Sequence, residues 1–168
     1  MNCSVPQKIS AEEADWSREK LQRRWEPSRL LLRSIRDYQR ARAANSVIRM
    51  KIASLRHRFW SVVTGADIPV NCRLGGGLLI PHPNGIVIHP DAEIGPNCLI
   101  FQQVTIGDAG GGVPRLGGHV DVGAGAKIIG EIVIGDHARI GANAVVITDV
   151  PAGATVVGIP ARIAKAAS

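Results

Sequence analysis

Aliphatic residues recur every six positions along the C-terminal two thirds of the chain. They stand at Ile68, Leu74 and Ile80, then at Ile88, Ile94, Ile100 and Ile106, then at Leu116, Val122, Ile128, Ile134, Ile140 and Val146. Four places after most of them comes a second small or aliphatic residue, among them Cys72, Leu78, Ala92, Cys98, Val104, Val120, Ala126, Ile132, Ala138 and Ala144. Glycine follows the aliphatic residue at Gly95, Gly107, Gly117, Gly123, Gly135 and Gly141. Such self-similarity marks a repeat architecture. Each hexad predicts a short strand and a corner, and three hexads predict one triangular coil of about eighteen residues. The aliphatic residue points inward, the small residue relieves crowding near the corner, and glycine supplies backbone conformations that other residues resist. The expected fold is mainly β, a prism with parallel sheets for walls. Its ends need covers, and the residues before the repeat and the Pro-containing tail after Val146 are the candidates. Cys72 and Cys98 fall in the small inward slot on different walls, which makes them core residues rather than nucleophiles.

The register breaks twice. Two extra residues lie between Ile80 and Ile88, around His82, Pro83, Asn84 and Gly85, and four lie between Ile106 and Leu116, around Asp108 to Pro114. Insertions in a solenoid are pushed outward as loops, where function concentrates. The Gly110-Gly111-Gly112 run marks the second loop as flexible and open to close approach.

Before the repeat the apolar spacing becomes helical, over Arg29 to Ala44 and again over Ser46 to Val63. Ser46 is placed as an N-cap and Gly65 as a stop. Residues 1 to about 15 read as polar and loosely ordered, and Trp16 and Trp60 as anchors of the helices on the prism. The chain therefore divides into an N-terminal basic helical segment, residues 1–66, and a β-helix with a C-terminal tail, residues 67–168.

Composition supports a repetitive core: hydrophobic residues are 45% of the chain but aromatics only 4%, with 19 glycines. No secretory leader or bilayer-spanning run is evident, and three unframed cysteines suit a reducing compartment, so the cytoplasm is expected. The net charge of +6 is concentrated before Gly65, where fourteen Lys and Arg face six Asp and Glu. That segment could meet a peripheral membrane face or a partner. No nucleic-acid motif accompanies the charge, so nucleic acid is not expected.

Histidine is the side chain that most often serves as a general base near neutral pH. Of the five histidines, His57 and His137 read as surface residues and His89 as structural, while His82 occupies a register break. The stretches Asp67-Ile-Pro, Leu78 to Ile88 with His82 inside it, Gln103-Val-Thr-Ile-Gly107, Gly123 to Gly130 and Gly158-Ile-Pro-Ala-Arg162-Ile resemble serine O-acetyltransferases of the hexapeptide acyltransferase superfamily. That resemblance implies a left-handed parallel β-helix, usually a homotrimer with active sites between neighbouring subunits and acetyl-CoA, as co-substrate, running along the prism. It implies His82 as general base with Asp67 orienting it, and coenzyme contacts at Ala124, Ala142, Arg139 and Arg162. No metal is expected.

The pattern departs from the family at the acceptor. Where serine acetyltransferases carry an Asp before the catalytic His and an Arg-His pair in the later loop, this chain has Pro81, Gly112 and Val113. A saccharide of surface-polysaccharide synthesis is therefore the first expectation. Serine, as in cysteine biosynthesis, and a non-catalytic β-helix scaffold are the alternatives. A zinc enzyme of the carbonic anhydrase type would need three converging His, and the spacing of His82 and His119 is not a whole number of coils.

Overall fold

The computed structural model describes residues 9–164. A 3-10 turn at Trp16–Glu19 precedes two helices, α1 (Pro27–Ala43) and α2 (Val47–Thr64). Short strands follow and stack into three walls. The first wall holds β1 (Arg73–Leu74), β3 (Glu93–Ile94), β6 (Arg115–Leu116) and β9 (Val133–Ile134). The second holds β4 (Leu99–Ile100), β7 (Asp121–Val122), β10 (Arg139–Ile140), β12 (Thr155–Val157) and β13 (Arg162–Ile163). The third holds β2 (Val87–Ile88), β5 (Thr105–Gly107), β8 (Lys127–Ile129) and β11 (Val145–Val146). Together they form a left-handed parallel β-helix of about five coils.

Register follows the hexads. Leu74, Ile94, Leu116 and Ile134 stack in the first wall, and Ile88, Ile106, Ile128 and Val146 in the third, all buried. The glycines after them serve a purpose other than the one the sequence suggested. A Cβ on Gly95 would lie 2.4 Å from the Gly117 carbonyl oxygen, and one on Gly135 would lie 2.4 Å from the Ala152 nitrogen. These glycines let adjacent coils touch. Left-handed backbone falls instead two or three residues later, at corner residues such as Asn97 (φ 61°), His119 (φ 54°), His137 (φ 59°) and Asn143 (φ 56°). Asn and His tolerate that region better than most side chains.

The repeat also runs further than the sequence pattern showed. Val150 bridges to Ile134 and Val156 stacks on Ile140, so the last coil is two residues short and slips out of the six-residue period. The antiparallel pairing of β13 with β12 then closes that end.

The other end is covered by α1, whose Leu31, Leu32 and Ile35 join the core. The first coil has polar backbone groups with no coil above to pair them, and side chains supply the partners. Arg36 donates to the carbonyls of Leu74 and Gly75, both at 2.6 Å, and Glu19 accepts from the Leu78 N–H at 3.1 Å. Arg36 and Glu19 are themselves paired at 2.8 Å, and Trp16 lies against the guanidinium. Part of the basic charge read from the sequence is thus a built-in cap. Trp60 packs on the core as expected.

Residues 9–15 are held rather than loose, and those before residue 9 lie outside the described residues. The buried Asn97 side chain accepts from the Asp15 N–H at 2.8 Å and donates to the carbonyls of Ser10 and Glu13 at 2.8 and 2.7 Å. A corner side chain can hold a passing segment of irregular chain in this way, and hydrophobic periodicity does not report it.

Helix limits match the apolar spacing to within two residues. Gly65 ends α2 with φ 65°, and Ser46 stands at its N-cap without a side-chain bond. His57 of α2 is buried, not solvated, with its Nδ1 3.3 Å from Ser34 Oγ. Burial pushes the imidazole below its ordinary value, and the Ile68 carbonyl and Asp67 carboxylate only partly oppose this. A lowered histidine contributes stability in full above about pH 6.5, and this is lost as the pH falls towards and through the lowered value. Wild-type protein should therefore lose urea stability between pH 7.5 and 5 more steeply than His57→Gln protein. Equal slopes would refute that assignment.

Candidate active site

The first register break lies on the edge between the second and third walls. Its backbone is fixed from both sides: the Gly85 N–H donates to the Gly65 carbonyl at 2.8 Å, and the Asn84 carbonyl accepts from the Gln103 N–H at 3.0 Å. Gly85, at φ 69°, takes the left-handed corner that Gln103 (φ 63°) and Gly125 (φ 74°) take in later coils. The extra residues are thus extruded before the corner, leaving His82 exposed on the outside of the tube. Its ring lies over Phe101, centroids 6.5 Å apart and planes at 27°.

Counting along that edge decides which residues share it. Leu79 bridges to Leu99, so Ile80 stacks on Ile100, followed by Val122 and Ile140. Two residues beyond each lie His82, Gln102, Ala124 and Ala142. The expected base and two expected coenzyme residues therefore share one edge of the prism. Arg139 and Arg162 lie on the adjoining second wall, in β10 and β13. The sequence reading missed Gln102. Its side-chain oxygen Oε1 is buried without a hydrogen-bond partner, and a buried acceptor left unpaired points to a donor supplied from elsewhere. Only its place in the column, between His82 and Ala124, could have singled it out. Small residues at Ala124 and Ala142 keep the edge beyond Gln102 free of bulk.

Asp67 begins the third wall, bridged to Val87, with its N–H donating to the Ile86 carbonyl at 2.8 Å. This brings it to the same end of the prism as His82, but the two side chains are not in hydrogen-bond contact. The Asp67 carboxylate acts instead on the buried His57 and Cys72, favouring the protonated form of each.

The second break sits on a different edge, between the third and first walls. The glycine run there is pinned at its backbone, because Asp108 Oδ1 accepts from the N–H groups of Gly110, Gly111 and Gly112 at 2.7, 3.1 and 3.0 Å, while open space surrounds Gly110 and Gly111. The Gly112 and Gly110 donors lead in holding this carboxyl below its usual range. The loop folds around a charge that sequence spacing alone does not assign to it.

His119 and His137 occupy the remaining edge, between the first and second walls. Their Nδ1 atoms are 2.8 Å apart, so one ring donates and the other accepts. Burial is the first cause lowering His119. His137 is thus a paired residue, not the solvated one expected. His89 is structural, its Nδ1 accepting from the Asp91 N–H at 3.2 Å. Burial raises the Cys72 thiol to about 12 and Cys98 to about 11, which removes both as nucleophiles near neutral pH. No cluster of three His, Cys, Asp or Glu able to hold a metal occurs among the described residues.

No family model matches the chain. Over 106 residues it is 48% identical to a serine acetyltransferase from Synechococcus elongatus, a match covering 61% of this chain and 43% of that protein. Among solved structures, soybean serine acetyltransferase complexed with serine superposes with a TM-score of 0.72 at 37% identity, covering 82% of this chain and 57% of that one. A serine acetyltransferase in complex with CoA gives a TM-score of 0.72 at 34% identity, covering 84% and 58%. In sequence and fold this chain is serine acetyltransferase-like. It spans about half the length of the curated relatives it matches. In this serine acetyltransferase-like prism each of the three edges carries a different cluster, so a single copy does not unite His82 with the second loop.

Proposed function

We propose that the chain is a cytoplasmic acetyl-CoA-dependent O-acetyltransferase, with residues 67–168 as the acetyl-transfer unit, His82 as general base and Asp67 as its orienting partner. The observation that carries this reading is the shared edge: His82 stands outside the tube in line with Gln102, Ala124 and Ala142. Acetyl-CoA supplies the activated acyl group. A ring nitrogen of His82 takes the proton of the acceptor hydroxyl as its oxygen forms the new bond to the acyl carbon. The proton then passes to the departing thiol, which leaves His82 as it began. A carboxylate bound to the other nitrogen would fix the tautomer, and Asp67 is the candidate on the nearest coil. Ala124, Ala142, Arg139 and Arg162 would line the coenzyme's course. A homotrimer would bring the second loop of one copy against the His82 edge of the next.

For the acceptor, the relatives favour serine over the saccharide that the sequence put first. Uncharged Pro81, Gly112 and Val113 keep the saccharide as a second reading, because an amino acid's two charges each gain about 1.5 to 3 kcal/mol from a charged or polar partner. A side-by-side assay separates them. A kcat/KM for L-serine of about 10⁴ M⁻¹s⁻¹ or above would establish serine. Weak serine turnover beside rapid acetylation of a sugar would establish the saccharide. Failure of both, with no release of CoA, would overturn acetyl transfer.

A further inference from the structure

We propose that α2 docks on an anionic lipid surface through its outward face. The inner side of the helix is occupied by Ala53, His57 and Thr64, all buried. On the opposite side Ile48, Ile52, Leu55, Phe59 and Val62 are 74%, 54%, 71%, 55% and 84% exposed. At 3.6 residues per turn these five fall within an arc of about 100°. A stripe of that length and exposure is not an ordinary scatter of surface apolar residues.

The charges beside the stripe identify the occupant. Arg49 and Arg56 line one rim and Lys51 and Arg58 the other, by the same helical spacing. Residues Val47–Thr64 contain no acidic side chain. Arg56 is paired with Asp37 at 2.7 Å, whereas Arg49, Lys51 and Arg58 form no ion pair among the described residues. An apolar band with cations on both rims is the geometry of a helix lying in the lipid interface, its apolar face among the acyl chains and its rims at anionic headgroups. A second copy fits less well, because joining two such faces would bring the cationic rims together with no acid in either helix to answer them. No helix among the described residues is long and apolar enough to cross the membrane, so the mode is peripheral.

The proposal does not depend on acetyl transfer, and its test uses no substrate. The full chain is sedimented at about 0.1 M salt with vesicles of mixed phosphatidylglycerol and phosphatidylcholine, and with vesicles of phosphatidylcholine alone. The bound fraction should be large on the anionic vesicles and at least tenfold smaller on the neutral ones, falling again as salt is raised. The Leu55→Glu/Phe59→Glu protein should lose at least tenfold of the binding while keeping its circular dichroism, since both side chains are exposed. The Arg49→Glu/Lys51→Glu/Arg58→Glu protein tests the rims independently and should lose as much. No sedimentation with anionic vesicles, or equal sedimentation of wild-type and variant proteins, would overturn the proposal. So would a drop in oligomer mass by light scattering for Leu55→Glu/Phe59→Glu without a change in vesicle binding, which would assign the face to a second copy.

Discussion

Replacing His82 by alanine should lower turnover with acetyl-CoA at least about a hundredfold and leave the prism folded, because general base catalysis supplies roughly 10²- to 10⁴-fold. The fold should survive because nothing structural rests on the imidazole. The loop around it is fixed by backbone bonds from Gly85 to Gly65 and from Gln103 to Asn84, and the ring itself is exposed against Phe101. Asp67→Asn should cost less, since it weakens orientation and field but leaves the base in place. Release of the free CoA thiol, measured beside circular dichroism, reads both quantities. Near-normal activity in His82→Ala protein would defeat the assignment and pass the role to His119. That residue lies on another edge, already paired with His137 at 2.8 Å, so the whole placement of the coenzyme would have to move with it.

The architecture was legible because a six-residue period leaves little freedom. Once Ile68 to Val146 are assigned inward, the three walls, the extruded breaks and the burial of Cys72 and Cys98 all follow. The period failed where the backbone stopped obeying it. Four residues instead of six separate Val146 from Val150, and the eye ends the repeat there, although the structure continues it through Val156. The ordered segment over residues 9–15 was missed for a different reason. It is held by one polar side chain, Asn97, and by no apolar pattern of its own.

For the site, sequence located His82 through the break it occupies, and the resemblance supplied Asp67, Ala124, Ala142, Arg139 and Arg162. What neither supplied is which residues share an edge. That depends on counting coils through two insertions, and it is the count that places Gln102 in the column and sends His119 to another face. His57 shows the limit of charge patterning. A histidine among arginines on a helix reads as solvated, yet at helical spacing it falls with Ala53 and Thr64 on the one side turned to the core.

Gly95→Ala should destabilise the prism by about 3 kcal/mol or more, at the upper end of what overpacking costs. If glycine were needed there for its backbone freedom, the penalty would come from a left-handed φ and amount to about 1–2 kcal/mol. The Gly95 backbone is not in that region, and an alanine could adopt it. The obstacle is the next coil: the new Cβ would meet the Gly117 carbon and oxygen at 2.4 Å and the Gly118 nitrogen at 2.7 Å. A backbone cannot rotate aside as a side chain can, so relief requires the two coils to separate. Separation would strain the hydrogen bond from the Gly95 N–H to the Leu116 carbonyl, now 2.8 Å, and loosen the packing of Ile94 on Leu116. In a solenoid each coil is stabilised mainly by its neighbours, so the damage should spread as lost cooperativity in urea unfolding. Gly111→Ala is the matched control, since nothing lies within 4 Å of its Cβ position, and it should shift stability by no more than about 0.5 kcal/mol. Equal, small effects of the two substitutions would mean that the coils are not in contact at Gly95, and that the six-residue glycine owes its place to something other than the closeness of the walls.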